Sequence, residues 1–345
     1  MKKLFGLTVI SFTLCLLITG RLSAQERLHY WGDSETYLQD QASLAFEMAY
    51  QVFDAHPPAT NMGIERRFAL LALDVLLHDT RLDNGVAFKS YMNKVAVNIL
   101  NELQKPKPTG SETRFYRFYN HGFIVQTPSV TIGIDLVSRV GSDQYFISDT
   151  LMRSIVEQCD ILFISHAHGD HADLSVIRMF CEQGKEVIVP EEKWTTTALQ
   201  IRFVRGSEMI TETIPLPAKN TSLTVRVYPG HQGNVLNNVY MITLPEGQTI
   251  MHTGDQDYSE DLIAHAGSKV KVDVLLVQCW MMPMAPFVSG INPALVICGH
   301  ENEVGHTIDH REAYWLTFKR MKEVKAPYVI MAWGESYLLK DVHYR

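Results

Sequence analysis

The most constraining feature of this 345-residue chain is a cluster of histidine and aspartate residues directly after a short apolar run. The run, residues 161–164 (ILFI), predicts a buried strand. The loop after it reads SHAHGDHAD and contains His166, His168, Asp170 and His171. Imidazole and carboxylate ligands suit zinc, iron or manganese. Four such groups within six residues cannot all reach one ion with relaxed geometry, so we expect the first two to hold one ion and the last two a second.

A histidine-rich surface loop would be the simplest alternative, but it would need neither a buried strand before it nor this order of residues. The pattern His-x-His-x-Asp-His after a strand resembles the signature of the metallo-β-lactamase superfamily, whose members are binuclear metal hydrolases. The resemblance covers roughly Arg114 to Glu335. It implies an α/β fold, a four-layer αβ/βα sandwich, which a small helical segment precedes in this chain.

Three more residues match the ligand positions of that superfamily, each at the end of a strand-like run. His231 follows residues 225–228, Asp255 follows a Thr-Gly pair, and His300 follows a glycine. His231 alone would be an ordinary loop histidine. His306 and His310 compete with His300, but only His300 directly follows a predicted strand.

The resemblance implies two divalent metal ions, Zn²⁺ by expectation, with Mn²⁺ or Fe²⁺ as alternatives. It also implies hydrolysis by a metal-bound hydroxide, with Asp170 and Asp255 as catalytic residues. Asp255 bridges the two ions in this scheme. The implied ligands are His166, His168 and His231 for the first ion, and Asp170, His171 and His300 for the second.

A bridging aspartate on a Thr-Gly-Asp turn resembles the glyoxalase II, lactonase and phosphodiesterase branches. The chain looks closest to the ascorbate-phosphate lactonase-like and N-acylphosphatidylethanolamine phospholipase D-like branches. These imply a lactone, ester or phosphodiester substrate of small or lipid-like character. Two alternatives stay open: a di-iron redox protein of the same fold, and a metal-binding module without catalysis.

Residues 1–24 have the order of a signal peptide: two lysines, an apolar run from Leu4 to Thr19, and Leu-Ser-Ala before Gln25. We therefore expect a periplasmic or secreted protein without a stable membrane anchor after cleavage; a retained anchor is the alternative. Removing this segment leaves 28 basic and 38 acidic residues, which argues against a nucleic-acid partner.

Residues 25–108 predict three helices and end in Lys-Pro-Lys-Pro, the best domain boundary in the chain. They are interpreted either as a structural cap or as a lid or dimer surface on a catalytic domain at 109–345. Cys159, Cys181, Cys279 and Cys298 lack the spacing of a cysteine-built zinc site. Their disulfide state and the oligomeric state are left open by the sequence.

Overall fold

The computed structural model describes residues 33–140, 144–190, 202–204 and 210–340. The predicted signal peptide lies outside these residues. The α-helices in the described part are α1 (Ser34–Ala55), α2 (Ile64–Leu77), α3 (Val86–Leu103), α4 (Asp149–Gln158), α5 (Leu174–Glu182), α6 (Glu260–Lys269), α7 (Met284–Ile291) and α8 (Tyr314–Met321). Short 3-10 turns lie at Thr80–Leu82, Pro217–Lys219 and Ile308–His310. Within these described ranges, three α-helices therefore precede the first strand, as the sequence predicts.

The strands form two seven-stranded sheets and one two-stranded ribbon. They are β1 (Thr113–Arg117), β2 (Phe123–Gln126), β3 (Thr131–Ile134), β4 (Arg139–Val140), β5 (Gln144–Tyr145), β6 (Ile161–Phe163), β7 (Glu186–Pro190), β8 (Arg202–Val204), β9 (Ile210–Leu216), β10 (Thr221–Gln232), β11 (Val235–Thr243), β12 (Thr249–His252), β13 (Val274–Gln278), β14 (Leu295–Gly299), β15 (Tyr328–Val329) and β16 (Ser336–Leu339). The first sheet has the order β16-β1-β2-β3-β6-β7-β8, the second β15-β14-β13-β12-β11-β10-β9, and β4 pairs with β5.

Three apolar cores separate the layers of the molecule. The inner faces of the two sheets meet in a core that includes Phe163 and Val227. The outer face of the second sheet is covered by α6, α7 and part of α8. The outer face of the first sheet is covered by α4, α5 and the three N-terminal helices. Because burial of one large apolar side chain contributes roughly 1.5–3 kcal/mol, these cores supply the main driving force for folding. The arrangement confirms the predicted αβ/βα sandwich.

The N-terminal helices are tied to the sandwich by buried polar contacts as well as by apolar packing. Arg66 on α2 forms a bidentate ion pair with Glu335, and both side chains are almost fully buried. Asp74 accepts hydrogen bonds from the backbone N–H groups of Tyr314 and Trp315 at 2.8 and 3.0 Å, and thereby caps α8. The helical segment therefore shares one core with the first sheet.

The parallel strands position the site. In the second sheet β12, β13, β14 and β15 are parallel, and in the first sheet β3, β6 and β7 are parallel. Their carboxyl ends meet at one edge of the sandwich, where the functional side chains emerge. One predicted strand end is wrong. β10 continues through Gln232 in unbroken register with β11, so His231 lies within this strand rather than after its end. The last helix, α8, begins at Tyr314, where Asp74 from α2 caps it.

The four cysteines among the described residues are free of disulfides. Cys159, Cys279 and Cys298 are buried, and Cys181 is half-buried. Burial raises the pKa of the Cys159 thiol to about 12, as expected for a cysteine that packs as a small apolar side chain. No helix in the described ranges is long and apolar enough to cross a membrane.

Candidate metal centre

Four predicted ligands come together at the edge where the parallel strands end. Asp170, His171, Asp255 and His300 each offer one ligand atom, and these atoms lie within 4.8 Å of one another. Nε2 of His300 is 3.0 Å from Asp255 Oδ2, and Nε2 of His171 is 3.0 Å from Asp170 Oδ2. All four side chains are largely buried. The structure thus brings together residues separated by up to 130 positions in the chain.

A buried carboxylate that the sequence analysis did not select orients His171. Asp135 lies directly after β3, and its Oδ2 is 2.8 Å from Nδ1 of His171. Ser165 holds this carboxylate in place, because its backbone N–H donates to Oδ1 at 2.7 Å and its hydroxyl donates to Oδ2 at 2.5 Å. With Nδ1 occupied in this way, His171 presents Nε2 to the other donors.

His166 and His168 form a second pair beside the first group. Nε2 of His166 is 3.1 Å from Nδ1 of His168 and 3.9 Å from Asp255 Oδ2. The other ring nitrogen of His166 contacts the Ser165 hydroxyl at 3.0 Å. His166 is fully buried and His168 half-buried. Among the four clustered donors, Asp255 is therefore one that approaches both the other members of the group and His166.

His231 is not one of the four clustered donors. Its position in the hairpin of β10 and β11 puts it on the face of the second sheet that is turned toward the first sheet. The unbroken register of β10 gives His231 the same orientation as Val225 and Val227, which face the core between the two sheets. His231 lies beyond that core and is exposed. Its backbone N–H donates to Gln256 Oε1 at 2.9 Å.

The strand ends that carry the site adopt uncommon backbone conformations. Asn120, Asp135 and His300 have φ values of 53°, 49° and 73°, in the left-handed region that non-glycine residues rarely adopt. Such conformations persist where the surrounding structure enforces them, often at functional sites. Gly254 also has a positive φ, and a Cβ there would lie 2.1 Å from Asn237 Oδ1. Glycine is therefore required immediately before Asp255.

Charge is balanced within the cluster. Burial alone would raise the pKa of Asp255, but His171 and His300 outweigh it and hold that pKa well below its ordinary value. For His171, burial lowers the pKa, but Asp255, Asp170 and Asp135 raise it well above its ordinary value. Burial and the charge of His171 lower the pKa of His166 to about 3. The His166 imidazole is therefore neutral near pH 7, as a metal ligand must be.

The histidines that were not selected as ligands lie apart from the four-donor group. His252 is fully buried, and its Nε2 is 3.1 Å from the carbonyl oxygen of His121. The rings of these two residues pack with their centroids 4.2 Å apart and their planes tilted by 37°. Within the described residues, neither ring nitrogen of His121 has a hydrogen-bond partner. Nδ1 of His306 contacts Glu303 at 2.8 Å, and His310 is exposed.

One family model matches the chain over residues 118–297, just over half of its length, and its description is a β-lactamase superfamily domain. The matched range contains the loop after β6 as well as His231 and Asp255. The chain belongs to the metallo-β-lactamase superfamily. No curated protein matches the sequence.

Solved structures of metallo-hydrolases have a similar fold. Igni18, a metallo hydrolase from the archaeon Ignicoccus hospitalis, is 17% identical with a TM-score of 0.53, and the alignment covers 67% of this chain and 99% of that one. A possible metal-dependent hydrolase from Veillonella parvula is 13% identical with a TM-score of 0.50, covering 65% and 98%. An isothiocyanate hydrolase from Delia radicum gut bacteria is 14% identical with a TM-score of 0.50, also covering 65% and 98%.

The donors at this metallo-β-lactamase edge fit a divalent ion. Zinc binds nitrogen and oxygen ligands at roughly 2.0–2.2 Å, so donors within 4.8 Å of one another lie about where ligands of a single ion lie. Within the described part of the chain, the buried Oδ1 of Asp255 has no hydrogen bond of good geometry, although Nε2 of His171 lies 3.3 Å from it. A buried carboxylate oxygen without a donor is costly, and a cation would satisfy it. Superfamily and cluster together support a metal-dependent hydrolase in general terms.

Two further residues, which the sequence analysis did not select, support this metallo-β-lactamase site. Nδ2 of Asn120 donates to Asp170 Oδ2 at 2.7 Å, and its carbonyl accepts from the backbone N–H of His300 at 3.1 Å. Asn237 holds the Thr-Gly-Asp turn, because its Oδ1 accepts from the N–H of Asp255 at 3.1 Å and its Nδ2 donates to the carbonyl of Thr253 at 2.9 Å. The sequence signal for both residues was their position near the end of a hairpin strand. These strand ends lie at the edge of the sandwich that carries the candidate ligands.

Proposed function

We propose that the chain is an exported hydrolase that holds two divalent metal ions and cleaves a lactone, an ester or a phosphodiester. The observation that carries this proposal is the convergence of Asp170, His171, Asp255 and His300 at the strand ends of a metallo-β-lactamase fold. Zn²⁺ suits the mixed imidazole and carboxylate donors best, with Mn²⁺ or Fe²⁺ as alternatives.

We assign the second ion to Asp170, His171 and His300, and the first to His166, His168 and His231, with Asp255 shared between them. The contact between His166 and His168 supports the first set, as does the orientation of His231 toward the inner face of its sheet. When bound, the ions would lower the pKa of a coordinated water to about 7 and polarise the bond to be cleaved.

The residues of the chain would contribute orientation and a proton acceptor. Oδ2 of Asp170 is held by Asn120 and lies beside His171, which leaves Oδ1 to accept a proton from the attacking water. Asp135 fixes the ring of His171 and so the direction of its Nε2. Asp135 and Asn120 thus act by positioning the ligands. Loss of such an outer contact of a metal ligand typically costs about 10- to 100-fold in metal affinity or activity.

One aromatic side chain at the site favours a substrate with an apolar portion. Trp280 follows β13 at the edge where the ligands converge, and its ring stands perpendicular to that of His300 with 6.0 Å between the centroids. It is half-buried, so part of the indole is available for contact. A flat apolar group could pack on that surface while its ester or phosphate group reaches Asp170. We therefore place small lipid-like or aryl esters first among the candidate substrates.

A two-part experiment tests this proposal. Purified protein reconstituted with zinc or with manganese is assayed against lactones, thioesters and phosphodiesters, and Asp170→Asn serves as the impaired variant. We expect turnover of at least one class and a loss of most of the rate in Asp170→Asn, which keeps the other ligands of the second ion. Visible absorbance of iron together with no turnover would favour the redox alternative.

Export is tested separately by N-terminal sequencing of the protein recovered from cells. The order of lysines, apolar run and small residues predicts a mature chain that begins near Gln25. An intact Met1 in the soluble cytoplasmic fraction would contradict export without affecting the proposed chemistry.

A further inference from the structure

The first two helices of the described residues, α1 and α2, leave their outer faces uncovered by any described residue. α1 buries the side that carries Phe46 and Phe53, and α2 buries the side that carries Leu70 and Leu73. The opposite side of each helix is solvent-facing, yet it carries large apolar residues. Those more than half exposed are Tyr37, Leu44 and Met48 on α1 and Ile64, Phe68 and Val75 on α2.

These residues follow a helical repeat rather than a random scatter. On α2, positions 64, 68, 71 and 75 are Ile, Phe, Leu and Val, spaced four, three and four residues apart. On α1, positions 37, 41, 44 and 48 are Tyr, Gln, Leu and Met, with the same spacing. Apolar residues at this spacing form the seam along which one helix packs against another. Because the inner stripes of α1 and α2 already contact the protein core, the outer stripes are a second seam on each helix.

The size of this surface suits an interface. Leu44, Phe68 and Val75 are 62%, 65% and 74% exposed. With large side chains carrying roughly 150–250 Å² each, the two stripes expose on the order of 700 Å². That is close to the ~800 Å² that each partner buries in a standard-size interface. It is also at or above the largest apolar patch that a soluble monomer usually leaves exposed.

The net charge of the helical segment favours a protein over an anionic membrane as the occupant. Residues 33–108 contain seven basic and ten acidic residues. Helices that bind anionic membrane surfaces are instead rich in lysine and arginine on their polar face. Two neighbouring helices with outward apolar seams can form half of a four-helix interface. The same pair of helices in a second copy of the chain supplies the other half. A two-fold contact of this kind needs only one surface, which is self-complementary.

We propose that the outer faces of α1 and α2 form the homodimer interface of this protein, in which the helix pair of one chain packs against the helix pair of a second copy. The helical segment is then a dimerisation element fused to the outside of the sandwich. Its ties to the sandwich through Arg66 and Asp74 make the association rigid with respect to the catalytic layers.

Sedimentation velocity on the purified protein, its N-terminus established by sequencing, tests this interface. We expect a dimer at micromolar concentration. Phe68→Glu should weaken dimerisation by at least about 10-fold, since each substitution enters a two-fold interface twice. Phe68→Leu keeps the seam apolar and should keep the dimer. Met282→Glu is the matched control, because Met282 is 59% exposed and lies just before α7, the helix that packs on the second sheet.

Circular dichroism and metal content establish that each variant is folded. A wild-type protein that stays monomeric over a hundred-fold range of concentration, on the order of 1–100 µM, would overturn the proposal. So would a dimer that both Phe68→Glu and Leu44→Glu leave intact. Binding to phosphatidylcholine vesicles that Phe68→Glu abolishes would also overturn it, by showing that the surface meets a membrane. A monomer that retains residues 4–19 would overturn it in favour of that segment as the occupant.

Discussion

The carboxylate of Asp135 lies 2.8 Å from Nδ1 of His171, on the side of the imidazole ring opposite the clustered donors. Asp135 itself is fixed by two hydrogen bonds from Ser165, the residue just before the first ligand. One carboxylate thus couples β3 to the loop after β6 and orients the ring of His171, a candidate ligand. The candidate metal site is therefore built from pairs of strand ends rather than from the histidine-rich loop alone.

Removing this carboxylate should weaken metal binding without removing a ligand. We expect Asp135→Asn to lower metal affinity by about 10- to 100-fold, because the uncharged amide has a single acceptor oxygen where the carboxylate has two for Ser165 and His171. Competition with a chromophoric chelator measures the change. Asp273→Asn is the control: this carboxylate accepts from the N–H of Thr249 at the opposite end of β12 and should leave the affinity unchanged. Equal affinities in all three proteins would contradict the positioning role.

The identity of the last ligand can be tested with two alanine variants. Nε2 of His300 contacts Asp255 and Asp170, whereas His306 is half exposed and contacts only Glu303 among the acids near it. We expect His300→Ala to lose one metal per chain and His306→Ala to retain both, as measured by elemental analysis. The reverse result would transfer the ligand role to His306.

The ion pair between Arg66 and Glu335 should contribute strongly to stability only as a pair. Removing one partner leaves a buried charge uncompensated, which costs about 3–5 kcal/mol. We therefore expect Arg66→Met to lower the free energy of unfolding, measured in urea, by that amount. The double variant Arg66→Met/Glu335→Leu should recover most of the loss. A double variant that is no more stable than the single one would show that other contacts of Arg66, such as its bond to the Ile330 carbonyl, dominate.

The carboxylate of Asp74 should make stability depend on pH. Burial raises its pKa above the ordinary value of 3.8 and outweighs the hydrogen bonds from Asn302, Tyr314 and Trp315, which lower it. The folded state therefore binds this proton more tightly than the unfolded state. The resulting stabilisation is present below pH 3.8 and is lost as the pH rises through the raised pKa. Relative to Asp74→Asn, the wild type should gain unfolding free energy as the pH falls toward 4; a difference independent of pH would contradict this.

The fold and the ligand cluster could be predicted because both rest on local signals. An apolar run followed by His-x-His-x-Asp-His predicts a strand that ends at the site, and similar runs predict the strand ends before Asp255 and His300. The spacing of apolar residues likewise predicts the three N-terminal helices. Such patterns depend on neighbours within a few residues.

The supporting contacts were not predictable, because they form between segments far apart in the chain. Asp135 lies 36 residues from His171, and Asn120 lies 50 residues from Asp170. Nothing near Asp74 in the sequence indicates that it caps a helix 240 residues away. The continuation of β10 past Pro229 likewise depends on its pairing with β11. Sequence patterns indicated the candidate ligands; the packed sheets show which distant residues hold those side chains in place.

The most direct test of the central claim is hydrolysis measured as a function of bound metal. Metal-free protein is titrated with zinc while the ions per chain and the turnover of the responsive lactone, ester or phosphodiester are recorded together. We expect turnover to be absent without metal, to reach its maximum as binding approaches two ions per chain, and to disappear again with chelator. Full turnover by metal-free protein, or no turnover of any of the three substrate classes with two ions verified as bound, would contradict it.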